Sequence, residues 1–305
     1  MNIGMIGLGK MGGNMVTRML NKGHSVVCYD TNEDIVTNYS KYGATSSYTL
    51  NDLVSALPRP RFVWLMLPHG DITYQTINEL IPLLKPGDTI IDGGNNKYQD
   101  SINVAKLLNQ SNIRFLDVGT SGGIWGLNQG YSLMVGGDKQ AYLDLEPVIQ
   151  SLAPDINKGY GYVGSAGAGH YLKMIHNGIE YALMESYAEG LELLYSTDQY
   201  NYDLEQVATI WSHGSVIRSW LLELIGNALS DKEQLSRVKA YVEDSGEGRW
   251  TVIESVRLGI PLPVITSALQ QRFRSRQTEP LGAKLLSLMR NYFGGHKMQI
   301  DDTIE

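Results

Sequence analysis

A glycine-rich turn near the start of the chain constrains the fold more than any other feature. A short apolar run, Asn2–Ile6, precedes it, and helical periodicity follows from Lys10 to Lys22, ending at Gly23. A G-x-G-x-x-G sequence that follows a strand and opens a helix has the context of a dinucleotide-binding turn, in which the helix N-terminus offers free N–H groups to the pyrophosphate. The pattern predicts that a dinucleotide binds at Gly7, Leu8, Gly9, Lys10, Met11 and Gly12.

Asp30 follows the second strand-like run, Ser25–Tyr29. An acidic residue at this place hydrogen-bonds the adenosine ribose and repels a 2′-phosphate. Thr31 and Asn32 bring no arginine to the pocket. The pattern therefore favours NAD over NADP, with Asp30 and Thr31 in the cofactor site; the alternative is that Asp30 only caps a turn.

Strand and helix patterns alternate along the first half of the chain. Further strands are expected at Phe62–Leu67, Thr89–Asp92, Arg114–Val118 and Ser132–Val135. The alternation predicts an N-terminal, Rossmann-type, doubly wound and mainly parallel sheet in residues 1–164. A flexible hinge is expected at Gly164-Ser-Ala-Gly-Ala-Gly169, and an all-α domain for substrate binding and dimerisation over residues 165–305. Its first helix should run to about Tyr195, with later breaks near Ser230, Gly246–Gly248 and Pro261–Pro263.

Composition excludes several classes of protein. The net charge of -7 argues against a nucleic-acid or anionic-membrane surface, and no apolar stretch approaches membrane-spanning length. A single cysteine, Cys28, excludes an internal disulfide and fits a reducing compartment. A strand that begins at Asn2 leaves no room for a signal peptide, so the cytoplasm is expected. No metal-ligand cluster is apparent.

One region near the C-terminus is locally basic. Between Gln270 and Lys297 there are six Lys or Arg residues and one Glu. This balance suits a small anion. The alternative, solvated side chains on helix surfaces, is the better interpretation for Arg274, Arg276 and Lys284 taken singly.

Five polar residues share one face of the helix predicted from Gly169 onward: Lys173, His176, Asn177, Glu180 and Tyr181. The Lys173 amine and the Glu180 carboxylate lie roughly 10 Å apart along the axis at about 1.5 Å per residue, leaving room for a small polyol. The alternative is a solvated stripe. Gly178 in mid-helix costs about 1 kcal/mol relative to Ala, which a ligand approaching the backbone would explain.

Motifs spread nearly end to end resemble those of 6-phosphogluconate dehydrogenases, in particular the short, NAD-preferring branch. They are Gly7-Leu-Gly-Lys-Met-Gly-Gly-Asn14, Ile91-Asp-Gly-Gly-Asn95, Ser121-Gly-Gly123, Lys173-Met-Ile-His-Asn-Gly-Ile-Glu-Tyr181 and Arg290-Asn-Tyr-Phe-Gly-Gly-His296. The wider β-hydroxyacid dehydrogenase group shares only the first motif and looser forms of the others.

The resemblance implies oxidation of 6-phosphogluconate at C3, loss of C1 as carbon dioxide and release of ribulose 5-phosphate. It implies Lys173 as general base and Glu180 as general acid. It places Leu67, Pro68 and His69 at the nicotinamide pocket, where the alternative is a plain loop start, and it adds Asn95 to the cofactor-binding residues. It assigns substrate binding to Asn95, Ser121, Gly122, Gly123, His176, Asn177, Tyr181, Arg272, Arg290 and His296, although Asn95 and Ser121–Gly123 could equally be plain turns.

In the family, the residues matching Arg290 and His296 reach into the partner subunit's site, which implies a homodimer or a dimer of dimers. One segment departs from the family pattern. Asp244-Ser-Gly-Glu-Gly-Arg-Trp-Thr251 stands where longer members carry a phosphate-binding Lys-Gly-Thr-Gly-Lys-Trp-Thr loop. Ser245 replaces the first lysine and Glu247 adds a negative charge, which puts this loop's phosphate contacts in doubt.

Two other functions stay open on the sequence. A related hydroxyacid dehydrogenase with a smaller, unphosphorylated substrate would not need Arg272, Arg290 and His296 together. A regulatory module that binds the cofactor without chemistry would not need Lys173 and Glu180.

Overall fold

A computed structural model describes residues 1–300 of the chain. Two compact units are present, one formed by Met1–Asn177 and a second that begins at Gly178. The division falls inside one long helix, whereas the domain boundary expected after Gly164 coincides with the end of a strand. That expected boundary stays a prediction.

The first unit is built on one sheet, which has eight strands in the described part of the chain. They are β1 (Asn2–Ile6), β2 (Ser25–Tyr29), β3 (Thr45–Ser46), β4 (Phe62–Leu65), β5 (Thr89–Asp92), β6 (Arg114–Ser121), β7 (Ser132–Gly137) and β8 (Tyr160–Gly164). Their spatial order is β3-β2-β1-β4-β5-β6-β7-β8. All pairs are parallel except β6 with β7. The order reverses between β1 and β4, which opens a crevice at the carboxyl ends of these strands.

Both faces of the sheet are buried, because successive side chains of each strand point to opposite faces. Ile3 and Trp64 lie in one hydrophobic cluster, whereas Ile6 and Val63 lie in the other. Strands buried on both faces are near-continuous apolar runs, which is how the sequence of β1 and β4 reads.

Helices cover both faces of the sheet. Those of the first unit are α1 (Lys10–Asn21), α2 (Glu33–Ser40), α3 (Leu50–Ala56), α4 (Asp71–Leu80), α5 (Tyr98–Asn109), the short α6 (Gly126–Gln129) and α7 (Lys139–Leu152). A 3₁₀ turn at Gly123–Trp125 precedes α6. Methionines and valine of α1 pack in one cluster, and aliphatic residues of α3, α4 and α5 pack in the other.

The long helix α8 (Ala168–Ser196) leads into the second unit. It is followed by α9 (Leu204–Ser212), α10 (Trp220–Ser230), α11 (Lys232–Arg237), α12 (Glu247–Leu258), α13 (Pro263–Ser275) and α14 (Leu281–Gly294). Asp203 and Ser219 cap α9 and α10 with their side-chain oxygens, and Pro263 occupies the first turn of α13. No helix within residues 1–300 is long and apolar enough to cross a membrane.

The predicted fold class is confirmed, a Rossmann-type sheet followed by helices. Three strands have different bounds from those expected. β4 ends at Leu65 rather than Leu67, whereas β6 continues past Val118 to Ser121 and β7 past Val135 to Gly137. Antiparallel pairing holds both extensions: Ser121 of β6 pairs with Ser132, and Gly136 and Gly137 of β7 pair with Asp117 and Leu116. An apolar pattern does not reveal such pairing. β3 and β8 were not expected, because one has two residues and the other alternates Tyr with Gly.

Candidate active site

A cavity of about 860 Å³ lies in the crevice next to the glycine-rich turn. Ten of the residues expected to bind the cofactor line it: Gly7, Gly9, Lys10, Met11, Gly12, Asp30, Thr31, Leu67, Pro68 and Asn95. Leu8 and His69 do not line it. Leu8 is buried in the core beside the turn, and His69 is exposed in the loop between β4 and α4, two residues before α4 begins.

The glycines of the turn fit a dinucleotide. Gly7 has a φ of +90°, which side chains rarely adopt. A Cβ on Gly12 would clash with the carbonyl oxygen of Gly7, so the helix can approach the turn only without one. A Cβ on Gly9 would meet no atom within 4 Å, so this part of the main chain faces open space where a pyrophosphate can approach.

Asp30 is fixed in the cavity wall by two backbone donors. Its Oδ2 accepts the Leu8 N–H at 2.7 Å and its Oδ1 accepts the Asn32 N–H at 2.9 Å. Asp30 therefore ties β2 to the glycine-rich turn as well as closing its own turn. The capping alternative and the cofactor interpretation are compatible, because a carboxylate has lone pairs left for ribose hydroxyls.

Lys173 is buried, with 6% of its surface exposed, and its Nζ donates to Asn177 Oδ1 at 2.7 Å. His176 Nδ1 lies 3.0 Å from the same amide oxygen. The other ring nitrogen, Nε2, lies 3.4 Å from Ser121 Oγ at the end of β6. Four of the predicted site residues of the first unit are thus joined in one polar network.

The two glycines after Ser121, which are expected to bind the substrate, begin a tight turn. Gly122 and Gly123 have φ angles of +125° and +53°, and Gly123 starts the 3₁₀ turn before α6. Asn95 lies at the edge of the dinucleotide cavity, after the buried Asp92 at the end of β5. Burial raises the pKa of the Asp92 carboxyl, against the opposing effects of His170 and of hydrogen bonds from Asn96 and Gly94.

The polar face of α8 is not a solvated stripe. Lys173, Asn177 and Tyr181 are buried, whereas Leu172 and Ile179 on the other side of the helix are 41% and 50% exposed. In this stretch of the helix, polar residues are therefore buried beside Met174 while two apolar residues are exposed, which differs from the usual pattern of a surface helix.

The reason expected for Gly178 is corrected by the structure. A Cβ on Gly178 would lie 2.8 Å from Thr251 Cγ2, so the close neighbour is the side chain of α12 rather than a ligand. A helix crossing at this point requires a residue without a side chain.

In the second unit, Tyr181 and Arg272 lie together. The Arg272 guanidinium carbon stands 3.6 Å from the centre of the Tyr181 ring, and Arg272 Nη1 donates to the Glu243 carbonyl at 2.6 Å. The Tyr181 hydroxyl accepts the Ser245 N–H at 3.1 Å. Glu180 precedes Tyr181 on α8 and is partly exposed.

The segment that departs from the family pattern is internally paired. Asp244 accepts two hydrogen bonds from Arg249, at 2.8 and 3.1 Å, and one from Arg276 at 2.9 Å. The hydrogen bonds from Arg249, with those of Arg276, hold the pKa of Asp244 below its usual value. Ser245 Oγ makes a very short hydrogen bond to the Glu247 carboxylate. The Arg249 guanidinium is therefore engaged with Asp244 and with the Phe273 ring.

Arg290 lies within α14, four residues before its last residue, and His296 lies two residues after the helix; both are exposed. The His296 ring packs edge-on against Phe293, and its carbonyl accepts the Asn291 side-chain amide at 2.9 Å. Within residues 1–300, no group of three or more His, Cys, Asp or Glu side chains could hold a metal ion.

Sequence reasoning missed residues that support the site from behind. Asn14 and Arg18 of α1 hold the loop that follows Ser121, and Asp117 and Gly119 of β6 contact α8. The alternation Asp117-x-Gly119-x-Ser121 on one strand was the available signal, since these side chains share one face.

Two family models match the chain. Residues 2–164 match the NAD-binding domain of 6-phosphogluconate dehydrogenase, and residues 169–280 match the C-terminal domain of 6-phosphogluconate dehydrogenase. The chain belongs to the 6-phosphogluconate dehydrogenase family. The recognition made from the motifs is therefore confirmed.

Curated relatives agree with this membership. The NAD(+)-dependent, decarboxylating 6-phosphogluconate dehydrogenase of Haloferax volcanii is 41% identical over 305 residues, covering 99% of this chain and 100% of that protein. A decarboxylating 6-phosphogluconate dehydrogenase of Staphylococcus aureus is 38% identical over 289 residues, which are 90% of this chain and 61% of that enzyme. The chain is thus similar in length to the first and shorter than the second.

Solved structures show the same fold. The Plasmodium falciparum 6-phosphogluconate dehydrogenase superposes with a TM-score of 0.84 at 28% identity, covering 100% of this chain and 67% of that one. A 3-hydroxyisobutyrate dehydrogenase of Salmonella typhimurium has a TM-score of 0.74 at 21% identity, covering 88% of this chain and 92% of that one. The second likeness concerns the fold alone.

Proposed function

We propose that this protein catalyses the oxidative decarboxylation of 6-phosphogluconate to ribulose 5-phosphate and carbon dioxide, with NAD as the oxidant. The observation that carries the proposal is the buried Lys173 amine, held by Asn177 Oδ1 at 2.7 Å on the helix that also bears Glu180. Family membership and the name of the Haloferax volcanii relative support the same reaction.

The cofactor, when bound along the glycine-rich turn, supplies the hydride acceptor. Gly9 and the α1 N-terminus would receive its pyrophosphate, and Asp30 would bind its adenosine ribose. Leu67, Pro68, His69 and Asn95 would hold its nicotinamide end. The absence of an arginine beside Asp30 favours NAD.

Lys173 accepts the proton of the C3 hydroxyl as the hydride leaves C3, so its amine is neutral at that moment. The resulting ammonium then donates a hydrogen bond to the new ketone. The bond between C1 and C2 then breaks and C1 departs as carbon dioxide. The electron pair of that bond moves toward the C3 carbonyl, and Lys173 protonates its oxygen to give the enediol. Glu180 finally protonates the carbon that was C2 of the substrate and becomes C1 of ribulose 5-phosphate, while the neighbouring enediol hydroxyl returns its proton to Lys173 and becomes the ketone. The ketone lies β to the carboxylate and therefore serves as the electron sink.

The remaining residues hold the substrate. Asn95, Ser121, Gly122, Gly123, His176 and Asn177 bind its carboxylate and hydroxyls. Tyr181 and Arg272 bind its phosphate, together with Arg290 and His296 of the tail. Guanidinium groups suit a phosphate dianion because they can bind it through two parallel hydrogen bonds.

The test is NADH formation by the purified protein with 6-phosphogluconate. Lys173→Met and Glu180→Gln should each lower kcat by about 10²-fold or more, because each removes a proton-transfer group. Lys158→Met and Glu189→Gln change exposed residues of the same types outside the proposed site and should leave kcat unchanged. Retention of full activity in Lys173→Met would overturn the assigned mechanism.

Gluconate and 3-hydroxyisobutyrate separate this function from its rivals. A preference for either over 6-phosphogluconate would identify a hydroxyacid dehydrogenase with an unphosphorylated substrate. Tight NAD binding in calorimetry without turnover of any of the three would identify a regulatory module.

A further inference from the structure

Strand β6 presents alternate residues to helix α8. Asp117, Gly119 and Ser121 are two residues apart, so they share one face of the strand. Each contacts a successive part of α8 between Gly167 and His176. The first turns of the helix that carries Lys173 therefore pack along this face of the strand.

Asp117 anchors the beginning of α8. The Asp117 side chain is fully buried; its Oδ1 accepts the Gly167 N–H at 2.8 Å and its Oδ2 accepts the His170 N–H at 2.9 Å. The first N–H groups of a helix have no partner within the helix, and the helix dipole favours a negative charge there. A carboxylate of strand β6 thus caps the N-terminus of α8, a role that a residue next to the helix in sequence usually has.

Gly119 lets α8 lie directly on the strand. A Cβ on Gly119 would stand 2.5 Å from the Lys173 Cβ and 2.8 Å from the Gly169 carbonyl oxygen. A Cβ on Gly169 would in turn overlap the Asp117 and Met134 carbonyl oxygens. The stem of Lys173 is therefore seated against the main chain of β6, two residues beyond the capping carboxylate.

A second anchor holds the same helical turn. His170 is buried one turn before Lys173, and its Nδ1 lies 2.7 Å from the hydroxyl of Ser101 on α5. α5 and β6 therefore hold the first turn of α8 from two sides.

We infer that Asp117 and the Ser101–His170 pair are positioning residues for the reaction, which fix the first turns of α8 and thereby the place of the Lys173 amine. They touch neither substrate nor cofactor in this role. The expected effect of these residues on the reaction rate rests on the proposed function, whereas their expected effect on α8 rests on the geometry alone. A displacement of about 1 Å at a reacting group lowers rates by as much as 10²-fold.

Asp117→Asn is the first test, because it keeps the shape and replaces one acceptor oxygen with a donor that faces an N–H group. Asp88→Asn is the control, at a carboxylate that also forms an ion pair with Arg61 at 3.1 Å. Asp88 is equally buried and accepts two backbone N–H groups, those of Arg61 and Lys85, both at 2.9 Å, outside α8. Both variants should lose stability, but only Asp117→Asn should lower kcat, by about tenfold or more, with the Kd for NAD unchanged.

Hydrogen exchange gives a readout that does not depend on activity. In Asp117→Asn the amides of residues 167–177 should exchange about tenfold faster than in the wild type or in Asp88→Asn. Ser101→Ala is a milder second variant that decides the matter if Asp117→Asn does not fold. It should lower kcat about threefold and speed exchange in the same segment.

The inference would be overturned if Asp117→Asn and Ser101→Ala both kept the wild-type kcat and the wild-type rate of hydrogen exchange. Equal effects of Asp117→Asn and Asp88→Asn on kcat would overturn it as well, because a general loss of stability would then explain the rate. Failure of the wild type to oxidise 6-phosphogluconate would instead refute the proposed function, and exchange in the two variants would still decide whether these residues fix α8.

Discussion

Asp30 shows how much one carboxylate can decide. Its two oxygens are held by the N–H groups of Leu8 and Asn32, so the negative charge stays in place at the wall of the dinucleotide cavity. Because the carboxylate is held in place, it cannot move to avoid repulsion from the 2′-phosphate of NADP. The discrimination between NAD and NADP is therefore expected to depend on this side chain.

We expect kcat/KM to be higher with NAD than with NADP. Asp30→Asn removes the charge with little change in shape and should lower the ratio of the two values about tenfold, equivalent to ~1.4 kcal/mol. Glu79→Gln is the control, since Glu79 lines the same cavity without following β2. Steady-state kinetics with both cofactors measures the ratio, and an equal or higher value with NADP for the wild type would contradict this prediction.

At the scale of elements, helix α1 serves two places at once. Its N-terminus faces the dinucleotide cavity, and two of its later side chains hold the segment after β6 and the end of α7. Asn14 donates to the Ile124 carbonyl at 3.1 Å. Arg18 donates to the carbonyls of Leu127, Ser151, Leu152 and Ala153 at 2.6 to 3.1 Å. One helix thus links the cofactor turn to the loop that begins with Ser121-Gly-Gly123.

Arg18→Ala should lower the free energy of unfolding by about 3 kcal/mol, because four carbonyl oxygens lose a charged donor at once. Urea denaturation followed by tryptophan fluorescence measures this change. Arg237→Ala is the matched control. Its exposed ion pair with Glu233, one helical turn away, should contribute less than about 0.5 kcal/mol. Similar midpoints for the two variants would contradict the role given to Arg18.

At the scale of the whole molecule, apolar side chains of two helices are exposed. No residue of α14 is buried, and its leucines and Phe293 are exposed, as are Leu172 and Ile179 on the outer side of α8. Exposed apolar side chains in such numbers mark interaction surfaces. They agree with the expectation that Arg290 and His296 serve a neighbouring subunit, which stays a prediction.

Subunit mixing tests that expectation. Lys173→Ala and Arg290→Ala proteins should each be nearly inactive alone. Unfolding and refolding them together in equal amounts should restore about one quarter of wild-type activity, because half of randomly formed dimers are hybrids with one intact site of two. Native mass spectrometry should first show that hybrids form. Hybrids without activity would mean that the tail does not act in trans.

Much of the fold could be read from local pattern. The strand β1, the glycine-rich turn and α1 follow from apolar runs and glycine geometry within one short segment, which is why their places agree with the structure. The polar face of α8 was also visible in the spacing from Lys173 to Tyr181. The sequence did not show that this face is buried, because Leu172 and Ile179, which are exposed, would by their apolar pattern be expected in a core.

The sequence by itself determined the class of fold, the cofactor turn, the family and the residue types available for proton transfer. These depend on neighbours in the chain. Only the tertiary structure decided what holds those groups in place. Asp117 meets the N–H groups of Gly167 and His170 fifty residues away, and Thr251 fills the space that Gly178 leaves. Such pairs are set by strand register and helix crossing, which no local periodicity encodes.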